Sequence, residues 1–138
     1  MQNFQYAPRR NRLLGQIMDG FVAPAPLVVG LVINTASEIV ATPFVLIGAA
    51  FLLGYYFLAD GLEGGQSIGK RWLGMRVVDE KTGEPCTYMQ SFGRNLMIAL
   101  LGPIDWIFIV GEKHQRLGDM IAGTIVIEVS ESVASAVQ

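Results

Sequence analysis

The chain is 138 residues long, 51% hydrophobic and only 16% charged, with a formal net charge of −2. Its mean hydropathy of +0.43 is too apolar for an ordinary soluble domain and points to a single polytopic membrane domain, with the lipid bilayer as its first partner. The net charge says nothing useful about nucleic acid, and no basic patch interleaved with aromatics appears, so no nucleic-acid partner is expected. Lone Cys86 excludes an internal disulfide and a cysteine metal site, and lone His114 reads as a hydrated surface histidine.

Residues 1–11 are polar and end in Pro8-Arg9-Arg10-Asn11. With Arg12 they form a positive cluster that places the N-terminus in the cytosol by the positive-inside rule. The apolar run that follows is too long for a signal peptide and has no small-residue cleavage site, so it reads as a retained anchor. The first span covers about 13–33, close to the roughly 20 residues a bilayer core requires. Pro24 and Pro26 interrupt it, which predicts a helix from about Arg9 to Ala23, a break, and a second short helical piece. The break is either a tolerated proline kink or part of an ion site beside Asp19.

Arg12 and Asp19 lie on one face of the first helix but are separated by roughly 10 Å of rise, too far to neutralise each other directly. An ionisable group inside a span costs about 3 kcal/mol or more unless paired or hydrated. Each of the two therefore needs a partner from elsewhere.

Asn34–Glu38 form a polar turn without Lys or Arg, as an external loop should. The second span covers about 40–59, with Gly48, Ala49, Ala50 and Gly54 as a small-residue row for close helix packing. Tyr55 and Tyr56 near its end read as interfacial aromatics. Gly64–Lys70 spells G-x-x-x-x-G-K, but Arg71 stands where a phosphate loop needs Ser or Thr for magnesium, and a membrane helix rather than a strand precedes it. The segment reads instead as a Gly-rich hinge into a short interfacial helix. There Trp72 and Leu73 meet the headgroups while Lys70 and Arg71 snorkel to water.

Met75–Val78 reads as a strand, 79–83 as a turn, and 85–87 as a brief return strand. Thr87 with Gln90 resembles a capping box, so a helix begins near Tyr88 and carries Arg94 at the interface. The third apolar element, about 88–110, is broken at Gly102-Pro103 and contains Asp105. It either crosses the membrane or is re-entrant. A short helical piece follows, then Thr124–Val129, a strand able to pair with Arg76–Val78 in a small cytosolic sheet. That pairing requires 96–110 to turn back, or a second pass that the sequence does not reveal. Residues 130–138 read as a disordered tail. The fold class is therefore an all-α membrane protein: a small bundle with two to three transmembrane helices, a broken or re-entrant third element, and a short cytosolic hairpin or sheet.

This pattern resembles the RDD family of small membrane proteins, named for one arginine and two aspartates. The resemblance covers about residues 9–129. It rests on Arg12 and Asp19, on the segment from Gly65 through Trp72 to Val78, and on Gln115–Thr124 with Arg116 and Asp119. It implies that Arg12 and Asp19 are the family's arginine and first aspartate. Asp119 is the favoured second aspartate, with Asp105 the alternative. The apolar region before Asp119 is shorter than the family's third membrane element. The resemblance also implies ligand transport, and for some members sodium–proton antiport.

Two functions follow. In the first, the chain is a secondary transporter exchanging a monovalent cation for protons. Asp19 is the switching carboxylate, Asp105 or Asp119 the second, and Arg12 or Arg116 the compensating charge. A chain this small is expected to work as a homo-oligomer. In the second, Arg12 and Arg116 pair with Asp119 and Asp19 as static locks, and the module recruits a partner through its cytosolic face. No catalytic constellation, metal-ligand spacing or cofactor motif is present in the sequence, so an enzyme is not expected.

Overall fold

The computed structural model of the protein describes residues 5–35, 38–102, 104–105 and 114–129. The predicted tail 130–138 and the second half of the third apolar element, Pro103 and 106–113, lie outside them.

The first apolar segment forms α1 (Arg9–Val22) and α2 (Ala25–Asn34), broken where predicted. Pro24 caps α2 and Pro26 sits in its first turn, where a backbone N–H would have no intrahelical acceptor. The prolines thus end one helix and start the next without leaving a hydrogen bond unmade. The second segment forms α3 (Glu38–Leu58), followed by 3-10 turns at Ala59–Gly61 and Glu63–Gly65. Arg9–Asn34 and Thr42–Gly61 are each long and apolar enough to cross a membrane.

The two segments pack antiparallel. A Cβ on Gly30 would stand 2.9 Å from the Phe44 carbonyl carbon, and one on Gly48 would stand 2.5 Å from the Leu27 Cα. Backbones approach this closely only where side chains are missing. Of the predicted small-residue row, Gly48 makes such a contact, whereas Gly54 has open space around its Cβ position. The partner of Gly48 is the α2 backbone near Leu27, one turn from Gly30.

α4 (Ile68–Trp72) follows the glycine-rich segment and leads into β1 (Met75–Asp79). Asp79 closes the next turn by accepting from the Lys81 and Thr82 amides at 2.8 and 3.0 Å. These bonds hold its carboxyl below the usual range, the Thr82 amide most strongly. α5 (Tyr88–Leu101) opens with the predicted capping box between Thr87 and Gln90. α6 (Leu117–Ala122) and β2 (Thr124–Glu128) are the last regular elements among the described residues.

β1 and β2 pair antiparallel with Val77 opposite Val126, as expected. Two short additions extend the pair. Pro85 bridges to Val78, and Tyr6 lies opposite Ile127, with Ala7 N–H donating to the Val126 carbonyl at 3.0 Å. The polar N-terminus is therefore tied to β2, which the sequence did not indicate. Ala7, Met75, Val77, Cys86 and Val126 form the small core beneath this sheet. His114 is half-buried, its Nδ1 3.4 Å from the Ala7 carbonyl.

The α2–α3 contact gives a direct test. Gly48→Leu is expected to force the two backbones apart and destabilise the protein by about 1–3 kcal/mol or more, read as a lower melting temperature in detergent. Gly54→Ala, placed in open space, is expected to leave it unchanged.

Candidate functional site

α1 turns Arg12, Gln16 and Asp19 toward the interior, the spacing of successive helical turns. Gly15 on the same face lets α4 approach, and a Cβ on Gly69 would stand 2.3 Å from the Gly15 carbonyl oxygen. This contact sets the Asp19 carboxylate against the first turn of α4. Asp19 accepts hydrogen bonds from the Gly69 amide at 2.8 Å, the Tyr55 hydroxyl at 2.6 Å and the Ser67 hydroxyl. The Ile68 amide donates to the Tyr55 oxygen at 3.0 Å, fixing that ring. The G-x-x-x-x-G-K segment is therefore not a loose hinge: it wraps one of the chain's own carboxylates. Tyr55 belongs to the site rather than to an interfacial belt.

Lys70 corrects the sequence reading. It is only 8% exposed, with Nζ on Asp60 and 3.9 Å from Asp19, while Arg71 and Trp72 are exposed as predicted. In so short a helix the face decides. Lys70 shares the face of Ser67, three residues earlier, and turns inward; the next two residues turn out. Its ammonium is bonded where a snorkelling lysine would be solvated.

The second cluster centres on Asp119, which is fully buried. It pairs with Arg12, with Arg94 Nη2 at 2.8 Å and with Arg116 Nη2 at 3.5 Å. Its Oδ2 also accepts the Arg116 backbone N–H at 3.1 Å, capping α6. Burial alone would push the Asp119 carboxyl up. The guanidiniums of Arg94, Arg116 and Arg12 reverse this and hold it far below the usual carboxylate range.

Asp105 also joins, accepting the Gly118 amide at 2.8 Å and lying 3.8 Å from Arg116 Nε. Arg116 Nη1 reaches Gln16 Oε1 at 2.9 Å. The expected pairing of Arg116 with Asp19 does not form: Arg12 and Arg116 both serve Asp119, and Lys70 serves Asp19.

Two members escaped the sequence reading. Asp60 follows α3 and bonds Lys70, with Arg94 Nη1 3.6 Å from its Oδ2. Arg94, read as interfacial, is fully buried between Asp60 and Asp119. The signal available for both was the argument applied to Asp19, that a charge beside an apolar span needs a partner. Among the described residues, Arg12, Lys70, Arg94 and Arg116 thus face Asp19, Asp60, Asp105 and Asp119 in a balanced set. A cavity of about 180 Å³ opens beside it, lined on its polar side by Asp19, Asp60, Lys70, Asn95 and Arg116. Asp119 and Arg94 are not part of that wall.

Two apolar helical segments with a balanced charge cluster at one end define a small membrane protein. The chain belongs to the RDD family, which matches residues 6–123. It is also similar to an uncharacterised protein of Haemophilus influenzae, with 28% identity over 129 residues covering 88% of this chain and 78% of that one. No solved structure matches.

Removing the Asp119 charge leaves three buried guanidiniums short of a partner. Asp119→Asn is expected to cost about 3–5 kcal/mol at neutral pH. Since the folded-state carboxyl lies below its unfolded value of about 3.9, its contribution is complete above that pH and is lost as pH falls further. Melting curves should therefore separate wild type from Asp119→Asn at pH 7 and converge in strong acid.

Proposed function

We propose that the protein is a multi-pass plasma-membrane secondary transporter rather than an enzyme. It exchanges a monovalent cation for protons at Asp19, with the Asp119 cluster as the static lock that holds the site together. The observation that carries this reading is the unequal surroundings of the two aspartates. Asp119 is sealed among three guanidiniums. Asp19 lines the cavity with Asp60, and its ion-pair partner among the described residues, Lys70 at 3.9 Å, is also bonded to Asp60. A cation entering the cavity meets two carboxylates that share one ammonium. A proton arriving at Asp19 removes one of the same two charges. Binding of either species at one place, one at a time, is what exchange requires.

The topology that goes with this reading has two crossings. Residues 5–7, β1 and β2 belong to one small sheet, so they share a side, taken as cytosolic from Arg9, Arg10 and Arg12. α1–α2 lead out and α3 leads back. The 14 residues of α5 rise about 21 Å, short of a hydrocarbon core of about 30 Å. Arg94 before Gly102 and Asp105 after it both return to α6, which supports a re-entrant third element. A two-crossing chain offers one side of a pathway, and a homo-oligomer supplies the rest.

The balance of the charge set favours a second reading, a non-transporting module in which every pair is a lock. Flux in proteoliposomes separates the two. Under an imposed pH gradient, wild type is expected to carry sodium and Asp19→Asn to fall to the level of empty liposomes; equal flux in both defeats the transport reading.

The topology is tested in a Cys86→Ser background. Gln5→Cys, Lys81→Cys and Met120→Cys should all react with an impermeant thiol reagent from the cytosolic side only. Labelling of Met120→Cys from the opposite side to Lys81→Cys would overturn the re-entrant arrangement.

A further inference from the structure

Behind the cation-facing cavity lies a second, much smaller one, of about 10 Å³, walled by Arg12, Gln16, Lys70, Arg94 and Arg116. Four of the five wall residues are cationic, and none of the cluster's carboxylates lines it. Arg12 and Arg94 are 4% and 0% exposed. Arg12 Nη1 and Arg94 Nη1 have no hydrogen-bond partner among the described residues, because Arg12 spends Nη2 on Asp119 and Arg94 Nη1 reaches Asp60 only at 3.6 Å. Buried guanidinium N–H groups left in this condition are costly, and both belong to the wall of one atom-sized space.

The occupant must accept hydrogen bonds. A volume near 10 Å³ is about one water-sized sphere, so the choice is water or a monatomic anion. A water molecule has two O–H groups of its own to satisfy. The wall side chains offer it one acceptor, Gln16 Oε1, with one lone pair left beside the bond from Arg116 at 2.9 Å, so one O–H of a water would go unmet by them. A halide has no hydrogens to place, and four of the five wall side chains present cationic N–H donors, each shared with a carboxylate behind the wall.

We propose that this cavity is a binding site for a small monatomic anion, chloride being the abundant cellular case, held by Arg12 and Arg94 with Lys70 and Arg116 completing the positive wall. Chloride is larger than water, so its entry widens the wall. The site does not depend on transport: it stands if Asp19→Asn proves silent in flux. It does touch the transport site, because Gln16, Lys70 and Arg116 line both cavities. An anion here draws Lys70 toward itself and away from the two carboxylates.

The test is the melting temperature of purified protein in detergent, with sodium chloride, bromide or gluconate at equal ionic strength. Chloride and bromide are expected to raise it saturably over gluconate, which is too large to enter. Gln16→Glu places a fixed negative charge in the wall. That variant should melt higher than wild type in gluconate and lose the halide response, while Gln16→Met should keep it. Identical melting in all three salts overturns the proposal and leaves the cavity to water. A full halide response in Gln16→Glu also overturns it, since the ion then binds elsewhere. If that variant does not fold, bromide anomalous scattering from crystals of the wild type decides: a peak between Arg12 and Arg94 supports the site, and no peak there refutes it.

Discussion

The ion contacts of Asp119 hold this molecule in its shape. One carboxylate, without solvent contact, is shared by guanidiniums from the start of α1, the middle of α5 and the cap of α6. Desolvating a carboxylate costs several kcal/mol, and a single partner roughly offsets that. Three guanidiniums more than offset it for the carboxylate but leave the cations in excess. The excess is met by Asp60 on Arg94 and Asp105 on Arg116. The cluster is thus forced outward from Asp119 until its charges balance, and the elements that carry them are drawn together with it. The small sheet does the complementary task, tying the beginning of α1 to β2 through Ala7 and Val126.

Asp19 is held on different terms. Its three hydrogen bonds come from neutral donors, and its nearest cation stands at 3.9 Å. At an effective dielectric of about 20, one charge pair near 4 Å is worth roughly 4 kcal/mol, comparable to the penalty of burying the carboxylate and no more. Asp19 is held by three neutral donors and one ammonium where Asp119 is held by three guanidiniums. The same comparison separates the two aspartates by partner: Asp119 pairs with Arg12, and Asp19 belongs to a separate pair with Lys70.

Much of the architecture was legible because it rests on local rules. The prolines at 24 and 26, the Thr87–Gln90 cap and the short β-branched runs of β1 and β2 each act within a few residues of themselves. The need of Arg12 and Asp19 for separate partners was legible as well, from helix rise alone. The partners' identities were not. Lys70 sits beside Arg71 and Trp72 in sequence, and nothing local distinguishes the one that turns inward. Asp60 looks like the first residue of a solvated loop, and Arg94 like an interfacial arginine, until α5 is laid against α3 by the Ser91–Phe57 hydrogen bond at 2.9 Å. The glycines carried the missing information. Gly15, Gly69 and Gly118 each occupy a place where a Cβ would strike a neighbouring side chain or backbone, and each marks where a charged residue is brought in: Asp19 at Gly69, Arg94 at Gly118.

The two clusters are joined by one continuous route of ion contacts. It runs from Asp19 to Lys70, to Asp60, to Arg94 at 3.6 Å and to Asp119 at 2.8 Å. Signs alternate along it, so each group is held partly by each neighbour. In the proposed exchange, a proton or cation at Asp19 frees Lys70 from its second carboxylate and commits it to Asp60. Asp60 then holds Arg94 less, and Arg94 is left more fully to Asp119. Discharge of the cavity side would tighten the lock, and departure of the ion would loosen it. A static framework and a responsive site need not be rival readings of these residues: an alternating chain of buried charges serves as framework at its crowded end and as site at its sparsely compensated end.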